Sequence, residues 1–265
     1  MNETLSVILN RKSCREFLAE AVPEEAKADI IAATLRAPTA ANLMLYSIIE
    51  VNEQAAKDTL AVSCDHHSFI SRVPWVLLFL ADYQRWYDYF HVSGVKQRCE
   101  QRGVAMRKPQ EGDLFLACCD ALIAAKTAVI AAESLGIGSC YIGDIMENYE
   151  THKVIFDLPR YVFPITLVCF GYPTKQQQER TLTQRFDEKY ILFEDRYKRF
   201  EKGTFEDMYR KRQAQMFGKK KELKGALNVG QEMYQRKFDS SFAHEMNRSV
   251  RAMLQAWETD QHAGK

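Results

Sequence analysis

The sequence predicts an α+β chain that ends in a helical extension. Runs of strand length occur at 46–52, 73–81 and 163–170. The run at 73–81 is apolar throughout, as in a strand covered on both faces, and the run at 163–170 predicts another buried strand. Residues 113–135 are rich in alanine and contain no glycine or proline, which predicts a long helix buried at the centre of the fold. After Thr174 the apolar runs stop and lysine, arginine and glutamine increase, which indicates a change of architecture.

The remaining elements are helices and the turns between them. Pro23 and the two glutamates after it suit a helix N-terminus, and this helix must end near Pro38. We predict a polar loop at 97–111 and a glycine-rich turn at 137–143, followed by a further helix from about Asp144. Helical spacing of apolar residues predicts the other helices at 3–10, 54–62, 205–217 and 232–257.

Composition restricts the partners that we expect. The 265 residues are 46% hydrophobic and carry a net charge of +1, so no basic face for nucleic acid is indicated. The N-terminus lacks the apolar core of a signal peptide, and the longest apolar run, 73–81, is far shorter than the roughly 20 residues of a membrane span. We therefore expect a cytoplasmic protein without nucleic-acid or membrane partners.

The cysteines and histidines predict no metal and no disulfide framework. The chain has seven cysteines and no C-x-x-C pair, which is typical of free thiols in a reducing compartment. His66 and His67 lie beside Cys64 and Asp65. Structural zinc sites favour paired, closely spaced ligands on both sides, so we do not assign a metal to this segment.

Two segments are basic. In Arg11-Lys12-Ser13-Cys14-Arg15, three cations and a hydroxyl follow a helix, and phosphate groups need such charge-assisted donors. By itself the pattern is also typical of an ordinary solvated surface. Arg180 and Arg185, after the last strand, form a second basic element that could reach the same phosphate.

Two further segments suit the approach of a flat ligand. Small residues at 37–42 allow close approach of the backbone, and Asn42 offers a donor and an acceptor to a heterocycle, although it equally suits a capping role. The glycines at 136–143 follow a helix and lack G-x-G-x-x-G spacing, which argues against a Rossmann fold, and no P-loop is present. No nucleophile elbow or zinc-protease motif occurs either, and we name no catalytic side chain.

The order of these four segments resembles the nitroreductase family across about residues 1–190. The resemblance rests on R-K-S-C-R, then A-P-T-A-A-N, then the alanine-rich helix ending in G-I-G-S-C-Y-I-G, and then a strand ending in G-Y-P and a late basic residue. It implies a three-layer α/β/α fold with a mixed central sheet, which forms an intertwined homodimer with FMN at the interface. We divide the chain into an FMN-binding domain, 1–198, and a helical C-terminal extension, 199–265.

The resemblance also implies the FMN contacts. Arg15 would lie at the pyrimidine edge of the flavin, and backbone groups of Ile142 and Gly143 would approach its N5 and O4. The residues that would bind the phosphate are Arg11, Lys12, Ser13 and either or both of Arg180 and Arg185. The residues that would line the flavin from the partner subunit are Pro38, Thr39, Ala40 and Asn42. Where many members have Gln-Pro, this chain has Leu43-Met44-Leu45, which leaves the acceptor open.

The implied activity is an FMN-dependent oxidoreductase. NAD(P)H would deliver hydride and leave, and a small acceptor such as a nitroaromatic or quinone would then use the same pocket, in a ping-pong cycle. One alternative is a reductive dehalogenase-like flavoenzyme, which an aromatic lid at 82–90 would favour. The other is a flavin-binding sensor without catalytic activity.

Overall fold

The structure, a computed structural model, describes residues 1–218 and 222–258. The four strands form one sheet in the order β1-β2-β4-β3. They are β1 (Tyr46–Glu50), β2 (Trp75–Asp82), β3 (Gly138–Ile142) and β4 (Val162–Gly171). The α-helices of the described residues are α1 (Glu3–Asn10), α2 (Glu24–Thr34), α3 (Gln54–Ser63), α4 (Gln84–Val92), α5 (Val95–Gln101), α6 (Glu111–Ser134), α7 (Tyr149–Ile155), α8 (Lys175–Glu179), α9 (Lys202–Phe217), α10 (Val229–Met233) and α11 (Ser241–Glu258).

The sheet has a hydrophobic core on each face, which gives the three layers that the resemblance implies. Side chains alternate along β2 because successive residues of a strand point to opposite faces. Leu77 and Phe79 belong to the core that contains the alanines of α6, whereas Val76 and Leu78 belong to the core that contains Leu60 of α3. The predicted α+β class and its layered architecture are confirmed.

Helix α6 is the central helix of the fold. By length and composition it could cross a bilayer. It packs instead against the sheet and α2, and its alanines at 117, 121, 124, 125 and 128 are fully buried. Small side chains on this face let the helix approach the sheet closely. The helix predicted at 113–135 is therefore confirmed.

The strand pairing is more uniform than expected. The three ladders, β1·β2, β2·β4 and β3·β4, are all antiparallel, and parallel pairing in the described residues is confined to the bridge between Ser13 and Ser139. This corrects the mixed sheet implied by the resemblance. The physical reason is that each of these two connections, β1–β2 and β3–β4, brings the chain back to the end of the sheet at which the earlier strand finished, so the two strands it joins run in opposite directions.

Two local predictions are wrong. The glycine-rich segment after α6 is mostly a strand, β3, because residues Gly138–Ile142 pair along their whole length with β4. The predicted loop at 97–111 begins inside helix α5, and only its later part is irregular. Both elements lack the apolar periodicity from which a strand or helix is recognised in a sequence.

The segment after α1 runs along the sheet edge formed by β3. The Cys14 N–H donates to the Ser139 carbonyl at 2.8 Å, and the Leu18 N–H donates to the Tyr172 carbonyl at 2.8 Å. Gly171 allows a close approach there, since a β-carbon at this position would lie 2.9 Å from the Phe17 ring. These contacts place residues 11–15 beside β3.

The chain divides into two compact units. Of the described residues, the first comprises Met1–Arg180 and residues 245–258, and the second lies within Thr181–His244. Most of α11 therefore belongs to the first unit, where the Trp257 carbonyl accepts hydrogen bonds from Arg160 at 3.1 and 2.9 Å. Within the second unit, Asp207 accepts hydrogen bonds from Lys189 and Tyr190, which hold its pKa at about 2.

Candidate functional site

Four of the predicted site residues lie together beside the edge strand β3. The Lys12 ammonium donates to the carbonyls of Gln178 and Arg180, each at 2.6 Å. The Arg180 guanidinium donates in return to the Ser13 carbonyl at 2.5 Å. Because an ammonium carries three donors, Lys12 keeps one for a ligand. Residues 11–13 and Arg180 thus form one basic cluster, which we call the basic clamp.

Arg11 carries a buried donor that lacks a protein partner in the described part of the chain. Its Nη1 atom is buried and forms no hydrogen bond within the described residues. A buried guanidinium donor without an acceptor is costly, and an anion would supply that acceptor. The orphaned donor therefore fits the phosphate that the sequence analysis assigned to this segment.

Two residues of α6 complete the electrostatics of the clamp. Burial first, and then the Arg11 charge, lower the pKa of Lys126. Burial raises the pKa of Glu133. The hydrogen bond that it accepts from the Ser139 hydroxyl at 3.2 Å and the charges of Arg11 and Lys126 lower that pKa in part. Sequence reasoning missed both residues, because only the packing of α6 beside β3 brings them to Arg11.

Arg15 and Arg185 differ from the other predicted cations. Burial raises the pKa of Cys140 in β3, and the positive charges of Arg15, Arg11 and Arg180 lower it. Arg15 therefore lies near β3, although its side chain is exposed. Arg185 belongs to the second unit, where it is exposed and its Nη1 donates to the Thr183 carbonyl at 3.2 Å. Of the two late arginines, the structure brings Arg180 to the clamp.

Asp120 of α6 organises the loop at 38–42. This buried carboxylate accepts hydrogen bonds from the Thr39 hydroxyl, from the Ala40 N–H at 2.9 Å and from the Leu45 N–H at 3.1 Å. The Thr39 oxygen accepts in turn from the Met44 N–H at 2.8 Å. A lone aspartate in an alanine-rich helix gives no sequence signal of this role.

The same loop has unusual backbone conformations. Ala41, Asn42 and Met44 have φ values of 49°, 57° and 49°, in the left-handed region that residues other than glycine and asparagine seldom adopt. Helix α4 holds the loop from its other side, where the Trp86 indole donates to the Leu43 carbonyl at 2.7 Å and Arg85 donates to the Met44 carbonyl. Asn42 itself is exposed and available to a ligand, and Pro38 is exposed beside it.

Ile142 and Gly143 lie where β3 ends. Ile142 is buried, whereas Gly143 is exposed, begins a 3-10 turn (Gly143–Met146) and has nothing within 4 Å of the position that a β-carbon would occupy. This leaves the Gly143 backbone open to a ligand. Within the described residues, no hydrogen bond joins the 38–42 loop to the basic clamp or to this turn. Hydrogen bonds within one chain therefore do not join the predicted contacts into one site.

A large groove lies next to the loop. It has a volume of about 1060 Å³, and its wall is partly aromatic. The lining residues relevant to the site are Asn42, Leu43, Met44, Arg85, Trp86 and Tyr89. Most of the aromatic segment at 82–90 thus lies in helix α4, which supports the loop and lines this groove.

Comparisons with known proteins agree with this architecture. Residues 8–172 match the family model described as the nitroreductase family. The oxygen-insensitive NADPH nitroreductase of Salmonella typhimurium is 26% identical over 74% of this chain and 75% of its own length. The NADPH-dependent FMN reductase of Bacillus subtilis is 29% identical over 65% of this chain and 67% of its own length.

A solved structure extends the similarity beyond the matched segment. The fold of B. megaterium NfrA2 superimposes with a TM-score of 0.79 at 25% identity, covering 97% of this chain and 98% of that protein. The helical segment after β4, which the sequence analysis left outside the family pattern, thus has a counterpart in that protein. Because the family model covers more than half of the sequence, the chain belongs to the nitroreductase family.

Proposed function

We propose that the chain is a cytoplasmic FMN-dependent oxidoreductase that transfers hydride from NAD(P)H to a small acceptor. The observation that carries the proposal is the basic clamp, whose buried Arg11 donor has no protein partner. The names of the curated relatives, an NADPH nitroreductase and an NADPH-dependent FMN reductase, support it. When bound, FMN supplies the two-electron chemistry, because it accepts hydride and passes electrons on.

The residues of this chain bind and orient the cofactor in the proposal. Arg11, Lys12, Ser13 and Arg180 hold its phosphate, and the positive charge of Arg15 favours the anionic form of the reduced ring. Arg185 remains a proposed further phosphate ligand. The ring would receive polar contacts from the open backbone at Ile142–Gly143 and from Asn42. The small residues Pro38, Thr39 and Ala40 leave room for the flat ring to approach.

We propose that the functional unit is a homodimer. The supporting observation is an apolar stripe on the outer face of α6, where Phe115, Leu116 and Leu122 are 69%, 50% and 47% exposed. A stripe of this kind is typical of a surface that another chain covers. Such a dimer would bring the 38–42 loop of one subunit to the clamp and the Gly143 turn of its partner, which no hydrogen bond joins to that loop within the described residues of one chain.

The proposal makes a kinetic prediction. Two substrates that use one pocket in turn give parallel double-reciprocal plots when NADPH is varied at several fixed concentrations of a small quinone. We expect parallel lines, with a nitroaromatic in place of the quinone behaving in the same way. Intersecting lines would show that both substrates bind at once, which contradicts a shared pocket.

A further inference from the structure

A second cluster of ionisable side chains lies on the other side of the Gly143 turn. Asp65 and His67 follow helix α3, and Asp144 follows Gly143. The potential ligand atoms of these three residues all lie within 4.8 Å of one another, and His67 Nε2 is 3.5 Å from Asp144 Oδ2. Tetrahedral metal ligands about 2.1 Å from an ion are roughly 3.4 Å apart, so small side-chain rotations close the set.

Glu147 adds an independent sign that a cation belongs here. It is 5% exposed, and its Oε1 atom is buried without a hydrogen-bond partner. Burial first, and then the charges of Asp144, Asp65 and Glu245, raise its pKa to about 7. A buried carboxylate oxygen without a donor is costly, and a bound cation would satisfy it.

The negative charge of this cluster is not balanced by basic side chains. Across residues 1–218 and 222–258, no lysine or arginine forms an ion pair with Asp65, Asp144 or Glu147. The neighbouring Glu245 differs, because Arg248 pairs with it at 2.8 Å. Among these three side chains, only His67 can carry a positive charge, and it could balance at most one of the two carboxylates.

The two loops that carry the cluster are already fixed in place. The Asn148 amide donates to the Ser63 carbonyl at 2.8 Å, which ties the end of α3 to the segment after β3. His152 forms a second tie, with Nδ1 2.8 Å from the Ile145 carbonyl and Nε2 2.7 Å from the Ser63 hydroxyl. Since a carbonyl can only accept, Nδ1 carries the proton and Nε2 accepts. Preorganised loops lower the cost of collecting ligands.

We propose that Asp65, His67 and Asp144 form a binding site for a divalent transition-metal ion of the zinc class. One imidazole nitrogen and several carboxylate oxygens suit zinc or manganese better than the all-oxygen sets that calcium and magnesium prefer. Sequence spacing predicted no metal here, because Asp144 lies far along the chain from His67. The ion would join the loop after α3 to the turn that begins at Gly143.

Zinc binding to the purified full-length flavoprotein tests the site. We expect a single strong zinc site per chain, measured by competition with a chromophoric chelator after EDTA treatment. Asp65→Asn and His67→Gln should each weaken binding by roughly 10–100-fold. Asparagine tolerates the left-handed backbone of Asp65, at φ 45°, so that variant keeps the loop conformation. His66→Gln, at the exposed neighbouring histidine, is the matched control and should bind zinc as the wild type does.

The zinc environment separates this site from the free thiols. X-ray absorption should show nitrogen and oxygen neighbours at about 2.0–2.2 Å and no sulfur at about 2.3 Å. The inference is overturned if no strong zinc site is found, if both variants bind zinc unchanged, or if sulfur dominates, as ligation by Cys119 would give. Flavin absorbance is recorded in parallel, so a failure of the metal site is distinguishable from a failure of the proposed function.

Discussion

We expect Asp120→Ala to destabilise the folded chain by about 3–5 kcal/mol, since breaking a buried charged network leaves its remaining partners unpaired. Three donors, from Thr39, Ala40 and Leu45, would lose their acceptor together. For a chain of this size the loss corresponds to a fall in melting temperature of roughly 10 °C. Chemical denaturation followed by circular dichroism measures it.

Two variants control this experiment. Asp120→Asn keeps the shape and one acceptor oxygen, so we expect a smaller loss, of about 1–2 kcal/mol. Asp29→Ala removes an exposed aspartate of α2 and should change the free energy of unfolding by less than about 0.5 kcal/mol. If Asp120→Ala were as stable as Asp29→Ala, the carboxylate would not be what holds the left-handed loop.

The second large effect concerns cofactor retention. Arg11→Ala should weaken FMN binding by about 10–100-fold, because a hydrogen bond between charged groups contributes about 1.5–3 kcal/mol. The stability of the apoprotein should change little, since the buried Nη1 of Arg11 has no partner to lose. Quenching of flavin fluorescence during titration of the apoprotein gives the dissociation constant, and Ser13→Ala should act in the same direction.

The matched control for Arg11 is Arg36→Ala, which removes an exposed arginine just after α2. It should leave FMN binding unchanged, because it lies outside the clamp. Equal dissociation constants for Arg11→Ala and the wild type would show that the phosphate lies elsewhere. A fall in affinity for Arg36→Ala of the same size would instead indicate a general effect of net charge.

The layered fold was predictable because its strongest elements carry their own signals. The apolar runs that became β2 and β4, and the alanines of α6, can only be buried, and burying them on both sides of a sheet produces three layers. The strand β3 escaped prediction because Gly138 and Ser139 weaken its pattern, and pairing with β4 decides its conformation. The antiparallel direction of the strands depends on how they are connected, and short sequence patterns do not predict those connections.

The sequence predicted candidate cofactor contacts but not the residues of α6 that position them. Arg11, Lys12 and Asn42 were predicted as FMN contacts because their residue types and their order resemble a family. Asp120 and Lys126 were not, since each is an isolated polar residue in an apolar helix and acquires its role only from the packing of α6. Arg180 and Arg185 look equivalent in the sequence, and the contact with the Ser13 carbonyl distinguishes Arg180.

The reaction of the purified protein with NADPH under anaerobic conditions tests the central claim most directly. The claim predicts a yellow protein whose extracted flavin is FMN, present in a fixed ratio to the chain, and whose colour bleaches on addition of NADPH or NADH. Subsequent addition of a quinone should restore the colour. A colourless protein that FMN cannot reconstitute, or a yellow one that neither nicotinamide bleaches, would contradict the account.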